Sequence, residues 1–370
     1  MKYKRVVIKV GTSLFAGESS YFDTHHISHI TEEIAKIKER GCEVTLVSSG
    51  AIGAGMERLG LRCYPSSIPE RQATASVGQS HLMHTYEKLF SAHNQKVAQV
   101  LLTHRELSNR RSYLNILNTF HRLFGFGVIP IVNENDAVAT EELQEPLFSD
   151  NDTLAAHIST LIDADLLVIL TDEDGLYRFD KDGKNRELIS VVPEITKEIE
   201  GYVRDRKGRV TKGGMSAKIK AARLTTETGI TTIIANGKKR GIVLKAVAGK
   251  EIGTRFLPKK RELSSRKRWL IFNLTEKGEI VIDEGAKRAL ILSKKSLLPS
   301  GIVRVSGRFR EGDGVIIKDA DGNRIAKGVS SYSADDIEKI AGLHSAKIEK
   351  VLGYKLQDEV VHRDNMAILI

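Results

Sequence analysis

The chain has 370 residues, 41% hydrophobic and 28% charged, with a formal net charge of +10. That length exceeds one ordinary hydrophobic core, so two domains are expected. No apolar run is long enough to span a bilayer, and the charged, strand-like beginning shows no signal peptide. The charge excess invites a nucleic-acid reading, but its distribution weakens it. Residues 1–237 hold 29 basic against 30 acidic side chains, residues 269–370 hold 16 against 15, and residues 238–268 hold 12 against 2. A solvated basic junction between domains accounts for this better than a nucleic-acid surface. Cys42 and Cys63 form neither a metal spacing nor a disulfide framework, which fits a reducing cytoplasm.

In chain order, residues 5–10, 43–48, 97–102, 128–132, 166–170 and 231–234 read as short strands rich in Val, Ile and Leu. Continuous apolar runs of this length suit strands covered on both faces. Amphipathic stretches at 24–40, 71–93, 110–124, 152–162 and 215–228 lie between them and predict helices. The alternation predicts an α/β fold: a mostly parallel sheet sandwiched by helices, with ligands gathering at the carboxyl ends of the strands. From residue 269 the texture changes to short strands at 278–282, 301–305 and 314–318, with helical pieces at 284–293, 334–343 and 345–352 and a hairpin turn at 319–323. The expected division is 1–258 for the α/β domain, 259–276 for a basic linker, and 277–370 for a small β-rich domain with a C-terminal tail.

Polar motifs stand where the predicted strands end. Lys9 closes an apolar strand and is followed by Gly11, Thr12 and Ser13. Ser49 and Gly50 follow the second strand, but the glycine spacing there is G-x-x-G-x-G and matches neither a dinucleotide fingerprint nor a P-loop. Asn133, Glu134, Asn135 and Asp136 follow the fourth strand, Asp150, Asn151 and Asp152 open a helix, and Thr171 and Asp172 close the fifth strand. Thr211, Lys212, Gly213 and Gly214 precede a helix with Lys218 in its first turn, where a cation opposes the helix dipole and calls for an anionic partner. Taken singly, an N-cap at Asp150 or Asn151 and a capped turn at Asp172 are the simpler accounts. Glycine-rich helix starts with lysines, however, suit a nucleotide phosphate. His81 and His84 share a helix face without a third ligand and do not suggest a metal site.

In this order, residues 7–13, 49–52, 133–136, 150–152, 171–172 and 213–215 closely resemble the glutamate-phosphorylating members of the amino acid kinase family. Residues 285–290, 296–302 and 361–365 resemble a PUA domain, so the likeness runs nearly end to end. It implies the amino acid kinase fold followed by a PUA-like domain, and ATP-dependent phosphorylation of the γ-carboxylate of L-glutamate, the first step of proline biosynthesis. A carboxyl with a pKa of ~4.3 is already an anion at neutral pH and needs no general base, so positioning and positive charge do the catalysis.

By that resemblance Lys9, Lys218 and Asp152 are catalytic, with the lysines on the transferring phosphoryl group and Asp152 orienting them. Ser49, Asp136 and Asn151 bind glutamate. Lys9, Thr171, Asp172, Lys212, Gly213, Gly214, Met215, Ser216, Ala217 and Lys218 line the ATP site, and Mg²⁺ is held through the ATP phosphates rather than by a side-chain signature. The resemblance further implies feedback inhibition by proline, a homo-oligomer, and a possible reductase partner for the labile glutamyl phosphate. The near-neutral charge of residues 269–370 argues against an RNA partner, and the lack of a long apolar run argues against a membrane one. Two departures stand out. Lys212 occupies a position that is threonine in the family pattern, and residues 141–148 form a longer segment near the glutamate pocket. The competing readings are a kinase of the same fold with another small substrate, and an RNA-binding protein acting through the C-terminal domain.

Overall fold

The computed structural model describes residues 2–17, 21–139, 151–179, 186–202, 214–259 and 265–369. The chain divides into two units, Met1–Glu262 and Leu263–Ile370. The first begins with β1 (Arg5–Val10), α1 (His25–Glu39), β2 (Glu43–Ser48), α2 (Ala51–Leu59), α3 (Ile68–Ser91) and β3 (Lys96–Leu102). It continues with α4 (His104–Ser108), α5 (Arg110–Gly125), β4 (Val128–Glu134), α6 (Asn151–Leu161), β5 (Leu166–Thr171), β6 (Tyr177–Phe179), β7 (Arg186–Leu188) and β8 (Val191–Val192). It ends with α7 (Lys197–Gly201), α8 (Met215–Glu227), β9 (Thr231–Asn236), α9 (Ile242–Val247) and β10 (Thr254–Phe256).

One eight-stranded sheet runs in the order β3-β4-β2-β1-β5-β9-β10-β8, and its six strands from β3 to β9 are parallel. The chain moves outward from β1 through β2 and later returns to place β5 on the other flank of β1. The order therefore reverses beside β1, and a crevice opens there at the carboxyl ends, the usual ligand position in an open α/β sheet.

The two-residue period of β1 decides what enters that crevice. Val6, Ile8 and Val10 point into a core shared with Ile27, Ile30 and Ile34 of α1 and Leu82 and Tyr86 of α3. Lys9 belongs to the opposite face, where α6 packs against β1 and α8.

Helix α2 is not among the predicted helices, since Gly53 and Gly55 inside it weaken the helical pattern. Its neighbour α3 explains its presence. A Cβ on Gly55 would stand 1.9 Å from the Thr74 carbonyl oxygen, and one on Gly78 would stand 1.8 Å from that of Ala51. The two helices touch backbone to backbone at these glycines, and tertiary packing outweighs the glycine penalty. The short strands β6, β7, β8 and β10 also escaped the sequence pattern, being only two or three residues long.

The second unit holds α10 (Ser265–Phe272), β11 (Glu276–Ile282), α11 (Glu284–Ile291), β12 (Ile302–Gly307), β13 (Gly314–Lys318), β14 (Arg324–Val329), α12 (Ala334–Ile340), α13 (Ile348–Leu352) and β15 (Met366–Ile368). Its sheet order is β12-β11-β13-β14-β15, around a core that includes Ile280, Val315, Ile317, Tyr332 and Val360. The hairpin between β13 and β14 turns where Gly322 adopts φ +84° and the Asn323 N–H donates to Asp319 Oδ1 at 2.8 Å. Hydrogen bonds from Lys287 and Asn323 hold the Asp319 carboxyl down at about 2. Residues 265–272, inside the stretch expected as a linker, are helical, and buried Lys327 donates to the Ile271 carbonyl at 3.0 Å near the end of that helix.

Gly78→Ala should cost about 1–3 kcal/mol of stability, because its methyl has no space against Ala51. Urea unfolding of the variant measures this, and an unchanged midpoint would contradict the close crossing of α2 and α3.

Candidate active site

Lys9 leaves the end of β1 on the α6 side of the sheet, Asp152 is the second residue of α6, and Lys218 lies in the first turn of α8. The three converge. Lys9 Nζ is 2.6 Å from Asp152 Oδ1, and Lys218 Nζ is 2.9 Å from Asp152 Oδ2. Asp152 is fully buried and the lysines nearly so. The cation in the first turn of α8 thus finds its anion on a neighbouring helix, and that anion sits at the favourable N-terminal end of α6. Burial pushes the Asp152 carboxyl up, but the charges and hydrogen bonds of Lys9 and Lys218 outweigh it and hold the group below the ordinary carboxylate range.

A cleft of about 920 Å³ opens over this triad. Lys9, Ser49, Asp136, Asn151, Thr171, Asp172, Gly214 and Lys218 line it, and Asp152 lies beneath the two lysines. Met215, Ser216 and Ala217 form the first turn of α8 without lining the cleft. Lys212 and Gly213, like Asp150 and residues 141–148, fall outside the described residues.

The cleft has two polar ends. On the β2–β4 side, Asn151 Nδ2 contacts Ser49 Oγ at 3.0 Å and Asn133 Oδ1 at 3.1 Å. On the β5 side, Thr171 Oγ1 donates to Asp172 Oδ1 at 3.1 Å, and Ser13 also bonds the Asp172 carboxylate. Burial raises the Asp172 pKa, while hydrogen bonds from its own N–H, Ser13 and Thr171 bring the net shift below the usual value. Gly11 approaches β5 so closely that a Cβ would stand 3.1 Å from the Leu170 carbonyl oxygen. Gly50 precedes α2 at φ +101°, a left-handed conformation that favours glycine, and its Cβ would meet the Phe15 ring at 3.0 Å.

Thr12, Ser13, Tyr21, Tyr64 and Glu134 also line the cleft, though none was singled out as a site residue. Thr12, Ser13 and Glu134 lie inside motifs the sequence displayed. Tyr21 and Tyr64 sit on irregular segments with no periodicity to flag them, and the Tyr21 hydroxyl bridges the segments by donating to the Arg62 carbonyl at 2.7 Å. Among the described residues, no three His, Cys, Asp or Glu side chains gather into a metal-ligand set.

The chain matches the Amino acid kinase family over residues 4–236 and the PUA domain over residues 278–352. It is 45% identical over 368 residues to a glutamate 5-kinase of Dehalococcoides mccartyi strain CBDB1, covering 99% of both chains. It is 46% identical over 371 residues to a glutamate 5-kinase of Thermoanaerobacter sp. strain X514, covering 99% of this chain and 98% of that one. A glutamate 5-kinase of Geobacter sulfurreducens is 42% identical over 369 residues, with 100% and 98% covered.

The lowered Asp152 pKa fixes the sign of its linkage to pH. Its stabilisation is complete above the unfolded value of ~3.9 and is lost as pH falls through the lower folded value. Asp152→Asn leaves two buried cations without an anion and should lose about 3–5 kcal/mol at pH 7. Urea titrations across pH should show that gap narrowing only below about pH 4, and equal midpoints at pH 7 would contradict the triad.

Proposed function

Because the chain belongs to the glutamate 5-kinases of the amino acid kinase family and carries a C-terminal PUA domain, we propose that the cleft over Lys9, Asp152 and Lys218 is where ATP phosphorylates the γ-carboxylate of L-glutamate. The observation that carries the placement is the shared carboxylate: two buried lysines held on Asp152 at the bend of the strand order.

The cleft divides along the strand order. Glutamate occupies the β2–β4 side, held by Ser49, Asp136 and Asn151. ATP occupies the β5–β9 side, against Thr171, Asp172, Gly214 and Lys218. Lys9, on the central strand, reaches the phosphoryl group between them. A γ-carboxylate oxygen attacks the γ-phosphorus, the new O–P bond forms, and the bond from phosphorus to the ADP oxygen breaks. No proton has to leave the nucleophile. The barrier lies in bringing anions together, and the lysine ammonium groups stabilise the charge on the transferring oxygens. Asp152 keeps both cations in place without touching the substrates.

In this reading Mg²⁺ arrives with the nucleotide phosphates. When bound, it would neutralise phosphate charge. Feedback inhibition by proline, a homo-oligomer built through the first unit, and a reductase that takes the labile acyl phosphate belong to the same reading. Millimolar proline in the assay and light scattering check the first two. No described helix is long and apolar enough to cross a membrane.

Hydroxylamine trapping of acyl phosphate in the presence of ATP, Mg²⁺ and L-glutamate tests the assignment. Wild type should form hydroxamate only when glutamate is present, and Lys218→Ala should lower kcat by ~10²–10³. ADP release without glutamate dependence would redirect the site to another small substrate.

A further inference from the structure

The amide network beneath the β2–β4 side of the cleft has a direction that its fixed donors and acceptors determine. The Glu134 N–H can only donate, and it reaches Asn133 Oδ1 at 2.9 Å. Asn133 therefore turns its Nδ2 away, toward Gln79 Oε1 at 2.8 Å. Asn133 Oδ1 also accepts from Asn151 Nδ2 at 3.1 Å, and the Ser48 carbonyl accepts from the same nitrogen at 3.2 Å. Neither acceptor could face the oxygen of Asn151, so that amide has one orientation. Its two Nδ2 protons are shared among these acceptors and Ser49 Oγ at 3.0 Å, and because an amide nitrogen accepts no hydrogen bond, the Ser49 proton is not spent on Asn151.

A second line of bonds reaches the same loop from below. Ser48 Oγ donates to the Ser49 carbonyl at 2.8 Å, which uses its only proton. The bond between Ser48 Oγ and the Tyr86 hydroxyl, also 2.8 Å, must then be donated by Tyr86. Tyr86 is fully buried in the core.

Gln79 and Tyr86 stand seven residues apart on α3, on one face of the helix. Gly78, beside Gln79, is where α3 meets the backbone of α2, the helix that follows Ser49 and Gly50. We propose that α3 is the positioning element of the glutamate pocket: Gln79 acting through Asn133, and Tyr86 acting through Ser48, fix the orientation of the Ser49 hydroxyl and the Asn151 amide that line the cleft. The proposal rests on the assignment of glutamate to this side of the cleft. Neither residue touches substrate, so their loss moves affinity for glutamate and leaves the phosphoryl-transfer lysines alone. A network with fixed polarity also rejects ligands that need the opposite donor pattern.

The test is steady-state kinetics of Gln79→Met, Gln79→Glu and Tyr86→Phe, with glutamate and ATP varied separately and thermal melts run alongside. Gln79→Met removes the acceptor but keeps the side-chain length. It should raise KM for glutamate about 3- to 10-fold, the scale of one lost hydrogen bond, with kcat and KM for ATP nearly unchanged. Gln79→Glu keeps an acceptor for Asn133 and should recover most of that loss. Tyr86→Phe should act in the same direction and combine non-additively with Gln79→Met. Unchanged KM for glutamate in Gln79→Met and Tyr86→Phe, or equal rises for glutamate and ATP, would overturn the positioning role while the kinase assignment stands. Absence of glutamate-dependent turnover in wild type would overturn both.

Discussion

Two ammonium groups cannot share a buried site without an anion between them. At an effective dielectric constant of about 20, two unit charges 4 Å apart interact by ~4 kcal/mol, and burial removes the water that would screen them. Asp152 resolves this by giving one oxygen to Lys9 and the other to Lys218. The arrangement leaves a surplus of one positive charge, suited to an anionic group in the cleft above. It also ties together three elements far apart in the chain, β1, α6 and α8, so the fold of the first unit and the electrostatics of its site are the same constraint.

The sheet supplies the rest. Placing β1 at the reversal of strand order puts Lys9 in the middle of the cleft, with one set of polar groups on the β2–β4 flank and another on the β5 flank. Period-two alternation then decides that Lys9 faces α6 while Ile8 and Val10 stay in the core. Phosphorylation of a carboxylate demands little acid–base chemistry, and the cleft is lined by the two lysines, by Ser49, Asn151 and Thr171, and by glycine backbone at Gly11, Gly50 and Gly214. The PUA domain is a separate unit with its own core.

Much of this was legible in the sequence, for identifiable reasons. Parallel strands buried on both faces leave unbroken Val, Ile and Leu runs, so β1, β2 and β5 stood out within a residue of their bounds. Polar clusters at the ends of those runs marked Lys9, Ser49, Asn133 and Thr171. The convergence of Asp152 on both lysines was suggested only by family resemblance, because nothing local records a contact across 66 residues. Helix α2 was hidden because the glycines that permit a close crossing also weaken the helical pattern. Gln79 and Tyr86 were hidden for the opposite reason: on α3 they read as ordinary helix positions, and only the direction of a tertiary hydrogen-bond chain distinguishes them. Tyr21 and Tyr64 reach the cleft from irregular segments that no period describes.

The central claim is that Lys9 and Lys218 act as one unit through a shared carboxylate. The most direct measurement is a double-mutant cycle of Lys9→Met and Lys218→Met on kcat for glutamate-dependent ADP formation. The account predicts strong non-additivity, with the double variant little slower than the worse single one, because removing either cation lets Asp152 capture the other. Single losses that multiply in the double variant would mean that the lysines act independently, and would contradict the shared-carboxylate account.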